Sequence, residues 1–383
     1  MYVNSYSVHP ILLSMNRLSV PLFDCRPQYE NLRVEHDSAV ARVLQSGWYL
    51  SGDETRNFES SFADFCGVGH AVGVGNGTDA LELALRAVGC EAGDEVVMAA
   101  NAGMYAAAAA IQVGATPVFA DVDAASLLIS ADSVARMLSD RTRAVVVTHL
   151  FGQVMDMTPL RRVIGSQPVH LIEDGAQAHG AQDSTGRRVG SLGHLATFSF
   201  YPTKNLGAFG DAGAVVTDDS ALAQVVRELA QYGWSKKYEA RRPRGRNSRM
   251  DEVQAAVLSV RLPCLDAWNR RRREIVARYT AACSNTAVNF VSSASHSNAC
   301  HLCVIRHPRR KTFRATLCEA GIASDVHYPL LDVQQPAVAE AGCRSDILTE
   351  SLAAQGEIVS LPCFPGLNEN QVDHVCHILG NLD

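Results

Sequence analysis

Asp174 and Lys204 are the residues whose surroundings most constrain the chemistry of this chain. Asp174 ends the apolar run Val169-His170-Leu171-Ile172-Glu173-Asp174. Lys204 follows Ala196-Thr197-Phe198-Ser199-Phe200, in a turn that continues Asn205-Leu206-Gly207. A lysine in such an apolar, glycine-flanked setting is shifted toward its neutral, nucleophilic form and can join a carbonyl as an imine. A carboxylate at the carboxyl end of a parallel strand faces the crevice where α/β sheets bind ligands, and there it can keep a ring nitrogen protonated. The pair fits pyridoxal 5'-phosphate, with Lys204 as Schiff-base lysine and proton shuttle and Asp174 on the pyridine nitrogen. Alone, neither is informative, since a strand-end carboxylate is as often a helix cap.

Gly73-Val74-Gly75-Asn76-Gly77-Thr78 ends a strand and opens a helix. Glycines permit close backbone approach, and a helix N-terminus offers free N–H groups to a phosphate. A dinucleotide fingerprint needs Gly-x-Gly-x-x-Gly, and this is Gly-x-Gly-x-Gly. By itself the motif leaves phosphate site and plain tight turn both open. Gln177 is placed to donate a hydrogen bond to a phenolate oxygen, and His179 reads more readily as a buried structural histidine.

The elements that must position these residues come from an alternation of short apolar runs and amphipathic stretches between about residues 71 and 217. That is the pattern of βαβ units around a mostly parallel sheet. A helix is expected from Thr78 through Ala87 and another from Tyr105 to Val113. Beyond Ser220, a helix to about Tyr232 leads into a basic loop from Trp234 to Arg249, then a long helix from near Asp251. The expected organisation is a leader over 1–19, disordered or preceding a true start at Met15, a large domain over 20–265, and a smaller α+β domain over 266–383.

The bulk numbers exclude some classes. A formal charge of −6 over 383 residues argues against a general nucleic-acid binder. No apolar run approaches the roughly 20 residues of a membrane span. The eleven cysteines are scattered among apolar residues, as suits a reducing cytoplasm. Cys300-His301-Leu302-Cys303 lacks the second pair a metal site needs, so no metal is expected and the segment reads as buried strand.

Ordered motifs run along nearly the whole chain. They include Val20-Pro21-Leu22-Phe23-Asp24, Ser46-Gly47-Trp48-Tyr49, Asn76-Gly77-Thr78-Asp79-Ala80-Leu81, Gly93-Asp94-Glu95-Val96, His149-Leu150-Phe151-Gly152-Gln153, Gly207-Ala208-Phe209-Gly210-Asp211, His327-Tyr328-Pro329 and Leu361-Pro362-Cys363-Phe364-Pro365-Gly366-Leu367. In these the sequence resembles the DegT/DnrJ/StrS family of pyridoxal phosphate-dependent sugar aminotransferases. The resemblance implies the fold-type I aminotransferase architecture, an α/β large domain with a smaller α+β domain, and a cytoplasmic homodimer with active sites shared across the interface. It implies transfer of an amino group from L-glutamate, through pyridoxamine phosphate, to a keto nucleotide-linked deoxysugar, with a lean toward 3-keto-6-deoxyhexoses. Keto-inositol amination and a cofactor-binding regulatory role are the alternatives. The family's dehydratases replace the lysine by histidine, which Lys204 opposes.

By the same resemblance Lys204 matches the Schiff-base lysine, Asp174 the pyridine-nitrogen partner, Gln177 the contact to the cofactor hydroxyl and Ser199 a phosphate ligand. Gly77, Thr78 and Asp79 match the phosphate cradle. Asn247 lies in a loop expected to reach the partner's phosphate. Arg249, Lys236, Lys237 and Tyr238 are candidates for the nucleotide diphosphate, and Tyr49 and His327 for other substrate contacts. Two departures stand out. The aromatic that stacks on the pyridine ring falls on Gly103, with Ala102 where threonine is usual, so Tyr105 becomes the candidate ring and Met104 the alternative filler. The usual Pro-Leu-His after His-Tyr-Pro reads Leu330-Leu331-Asp332.

Overall fold

Short runs of valine, alanine and other small apolar residues form seven strands: β1 (His70–Val74), β2 (Glu95–Ala99), β3 (Thr116–Ala120), β4 (Thr142–Thr148), β5 (His170–Asp174), β6 (Leu195–Ser199) and β7 (Gly213–Thr217). In this computed structural model, which describes residues 18–284, 286 and 288–382, they join one sheet. The expectation of a leader therefore lies outside the described residues, apart from Leu18 and Ser19. Two hairpin strands, β8 (Trp234–Lys236) and β9 (Glu239–Ala240), lie within the segment read as a loop. The remaining strands are β10 (Asn289–Phe290), β11 (Cys303–Arg306), β12 (Arg344–Ser345) and β13 (Ile358–Leu361).

The large sheet has eight strands in the order β1-β7-β6-β5-β4-β2-β3-β12. Only β7 runs against its neighbours, pairing antiparallel with both β1 and β6. Its central strands are covered on both faces, which explains their unbroken apolar character. In β2, Val96 and Met98 join the layer of helices Gly77–Ala87, Tyr105–Val113 and Ser220–Ala230. Val97 and Ala99 face the opposite layer, which includes helices Asp53–Cys66 and Met157–Ile164. The direction of the strands brings the ends of β1, β2, β4, β5 and β6 to one edge.

The smaller unit is the antiparallel sheet β10-β11-β13 packed with helices Leu265–Ala282, Arg310–Glu319 and Glu369–Leu379 around Tyr279, Phe313 and Phe364. Two expectations are corrected here. The long helix from near Asp251 is two helices, Glu252–Arg261 and Leu265–Ala282, split by a 3-10 turn containing Pro263. Proline lacks the N–H needed to continue the ladder. The Cys300–Cys303 segment is strand only from Cys303, because β11 starts there. Packing also brings together residues far apart in the sequence. Val20 is buried in the smaller unit's core, bridging Ile322. Leu331, Val338 and Leu348 pack into the large unit, and β12 extends its sheet beside β3.

Candidate active site

At the strand-end edge, between the two units, lies a cavity of about 760 Å³ lined by Asp174, Gln177, Ser199, Lys204, Gly77, Thr78, Tyr105 and His327 among others. Residues far apart in sequence and predicted separately thus share one wall.

Asp174, 5% exposed, ends β5. Thr148 Oγ1 donates to its Oδ2 at 3.3 Å and the Ala176 N–H to its Oδ1 at 3.1 Å. Burial pushes its carboxyl above the usual range, opposed by the Ala176 N–H and the Lys204 charge. Lys204 faces the cavity and is otherwise enclosed; its ammonium makes no hydrogen bond among the described residues. Burial brings its pKa from 10.5 down to about 8, with Asp174 opposing. A cation at Asp174 would favour its ionised form. An aldehyde beside Lys204 would meet an amine that is partly neutral near physiological pH.

Beyond them is a phosphate-sized cradle. Asn76 caps helix Gly77–Ala87, its Oδ1 accepting the Asp79 N–H at 2.8 Å. The N–H groups of Gly77 and Thr78 remain free of protein partners among the described residues, beside the Ser199 hydroxyl. A Cβ at Gly77 would come within 2.6 Å of the Ser199 Cβ, so the close approach requires glycine. Asp79 is the exception within its motif. Its carboxylate accepts from the Ser248 hydroxyl (2.6 Å) and pairs with Arg246 (3.0 Å), and it is not part of the cavity lining. The donor set that remains suits the phosphate, pyridine nitrogen and aldehyde of pyridoxal 5'-phosphate.

Gln177 is fixed by the Phe151 N–H, which donates to its Oε1 at 2.7 Å, while its Nε2 donates to the Tyr328 hydroxyl at 3.1 Å. Tyr105 is 48% exposed, at the start of its helix, and meets Tyr328 edge-on with centroids 6.3 Å apart. His327 Nδ1 bonds the Ser360 hydroxyl at 2.8 Å. His179 lies buried against Phe198 and Phe200. Burial, with Lys204 adding to it, pushes its pKa down to about 3. It is a structural neutral histidine.

Tyr49, Lys236, Tyr238, Asn247 and Arg249 do not line this cavity. Lys236 and Arg249 border a separate cleft of about 530 Å³ with Lys237 and Trp234. Tyr238 is 78% exposed and packs edge-on to Trp234. Asn247 and Tyr49 are also exposed.

His301, read from the sequence only as part of a strand, lines the cavity. Asn205 Nδ2 donates to Asn269 Oδ1 and to the Ala299 carbonyl, both at 2.8 Å. That turns the Asn205 oxygen toward His301 Nδ1 at 3.0 Å, so Nδ1 carries the proton and Nε2 is an acceptor. Burial, then the Lys204 charge, keeps the ring neutral. Nothing local marks this histidine; its place depends on packing between the units.

The two departures noted in the sequence meet in space. Gly103 has φ +84°, and its N–H donates to Asp332 Oδ1 at 2.9 Å. The Met104 backbone bonds the same carboxyl, and the Asp332 N–H returns to the Ala100 carbonyl at 2.7 Å.

Fold and site together define a pyridoxal phosphate-dependent aminotransferase of fold type I. The chain belongs to the DegT/DnrJ/EryC1/StrS aminotransferase family, whose model matches residues 30–380. It is 41% identical over 354 residues to a dTDP-3-amino-3,4,6-trideoxy-alpha-D-glucose transaminase of Streptomyces venezuelae, covering 92% of this chain and 93% of that protein. A pleiotropic regulatory protein of Geobacillus stearothermophilus is 38% identical over 362 residues, 94% of this chain and 97% of its own. The crystal structure of S. venezuelae DesV superposes with a TM-score of 0.90 at 40% identity, covering 94% of this chain and 98% of that one.

Proposed function

We propose that this enzyme moves an amino group from L-glutamate to the keto group at C3 of a nucleotide-linked deoxyhexose. The observation that carries this reading is the 41% identity, over nearly both full lengths, to a relative named for a 3-amino trideoxyglucose product. In this reading Asp174 holds the pyridine nitrogen protonated. The N–H groups of Gly77 and Thr78, with the Ser199 hydroxyl, hold the phosphate. Gln177 contacts the ring hydroxyl. Lys204 would hold the cofactor through its aldehyde and, as a free amine, would move the proton at the substrate carbon. The bound cofactor supplies the electron sink and carries the amino group between half-reactions.

The site is completed in a cytoplasmic homodimer. The exposed hairpin and the loop bearing Asn247 and Arg249 lie apart from their own chain's Lys204 cavity, as expected of groups that serve the partner. The eleven cysteines are all free thiols, which supports a reducing compartment.

The reaction is tested by incubating purified enzyme with glutamate and a panel of 3-keto and 4-keto nucleotide sugars, following 2-oxoglutarate and the amino product. Amination of a 3-keto sugar is expected. Amination confined to 4-keto sugars or to keto-inositols would overturn it. The regulatory alternative draws support from the 38% identity to a protein named as a pleiotropic regulator. It would be favoured by a cofactor that binds but is not converted to the pyridoxamine form by glutamate.

A further inference from the structure

The family's stacking aromatic is missing at position 103, yet the space beside it is filled. A Cβ built on Gly103 would stand 2.7 Å from two ring carbons of Tyr328. No side chain fits at residue 103 while that ring is there. The ring lines the cavity with Asp174 and Lys204, and its hydroxyl is anchored by Gln177 Nε2 at 3.1 Å. Asp332, four residues further along the same segment, binds the Gly103 N–H and so holds the glycine loop against the ring. Tyr105 meets Tyr328 at a steep angle, hydrogen-bonds to it and is about half exposed.

We infer that Tyr328 supplies the aromatic ring packed on the cofactor's pyridine, in place of a residue-103 side chain, and that Gly103 and Asp332 are the substitutions that make room for it and hold it there. An aromatic face offers a π-system offset contact worth a modest but measurable amount beyond its area. Packed against the large unit's core beside Gln177 and Gly103, this ring ties cofactor retention to the stretch of chain that returns from the smaller unit. The inference rests on the cofactor lying between Asp174 and Lys204.

The test is a titration of cofactor-stripped enzyme with pyridoxal 5'-phosphate, read by tryptophan fluorescence and the visible absorption band. Tyr328→Leu, which keeps bulk without a ring, is expected to weaken binding about tenfold and to shift the band. Tyr328→Phe keeps the ring and loses only the hydroxyl's bonds to Gln177 and Tyr105, so it should stay within about threefold of wild type. Tyr105→Leu should also stay within about threefold, because its ring is not the covering one. Wild-type affinity in Tyr328→Leu, or the larger loss in Tyr105→Leu, would overturn the inference. Lys204→Ala and Asp174→Asn serve as reference. If neither alters the band or the affinity, the placement of the cofactor is what fails; if they do and Tyr328→Leu does not, the failure is confined to the ring. Circular dichroism of each stripped variant confirms that it is folded.

Discussion

At the residue scale, the chemistry turns on how burial treats Lys204. Its amine is the nucleophile only when neutral, and its pKa is lowered from 10.5 to about 8. Below that value the neutral fraction rises about tenfold per pH unit, and above it the fraction levels off. The rate at which stripped enzyme captures pyridoxal 5'-phosphate should therefore climb with pH and flatten above about 8, as followed by stopped-flow absorbance. A rate still climbing toward pH 10 would show a lysine that is not desolvated. Asp174 and Lys204 were legible in the sequence because strand ends and their flanking turns are local features. Tyr328 and His301 were not. Tyr328 lay in a recognised motif with no stated task, and His301 stood beside cysteines that drew attention to metals. Tyr328 owes its place to Gln177, 151 positions away, and His301 to Asn205, 96 positions away.

At the scale of elements, one carboxylate joins two helices. Glu252 begins helix Glu252–Arg261 and is 2% exposed. It accepts from the N–H groups of Gly52 (2.8 Å), Glu54 (2.9 Å) and Thr55 (3.1 Å), and from the Thr55 hydroxyl. These are the otherwise unpaired donors at the start of helix Asp53–Cys66. Glu252→Ala strands them, three of them at buried positions, and should cost about 3–5 kcal/mol in urea unfolding. A loss below about 0.5 kcal/mol, the level of an ordinary surface change, would show that the carboxylate does not hold the helices together. The alanine-rich helix Tyr105–Val113 could be read from composition, because alanine both favours helix and permits close packing. The break at Pro263 was not foreseen, because the charged run after it reads on as one continuous helix. Strand β12 has only two residues, too few for a pattern, and exists because β3 offers it an edge.

At the scale of the whole molecule, the residues expected at the active site fall into two groups in one chain, and the homodimer reading says they meet between chains. Lys204→Ala and Asn247→Ala should each be poorly active alone, Lys204→Ala the more severely. Unfolded together and refolded as a mixture, half of the dimers would combine one of each. Every such dimer has one intact site, so activity should return to about a quarter of wild type. A mixture no more active than the sum of its parts would show that Asn247 serves its own chain or none. This packing of distant residues was not legible for a related reason. Sequence order alone cannot anticipate that Val20 belongs to the core of the C-terminal unit, since that follows from the fold's return on itself.

Strand β12 also has a protective consequence. Arg344 and Ser345 pair with Val118 and Phe119 of β3, and Arg344 reaches on to the buried carboxylate of Glu95. Without them β3 would end the sheet as an apolar strand with open N–H and C=O groups, a template on which another chain could polymerise. Two residues and a charge close that margin, so the segment that carries Tyr328 toward the cofactor continues into the guard of the sheet against aggregation.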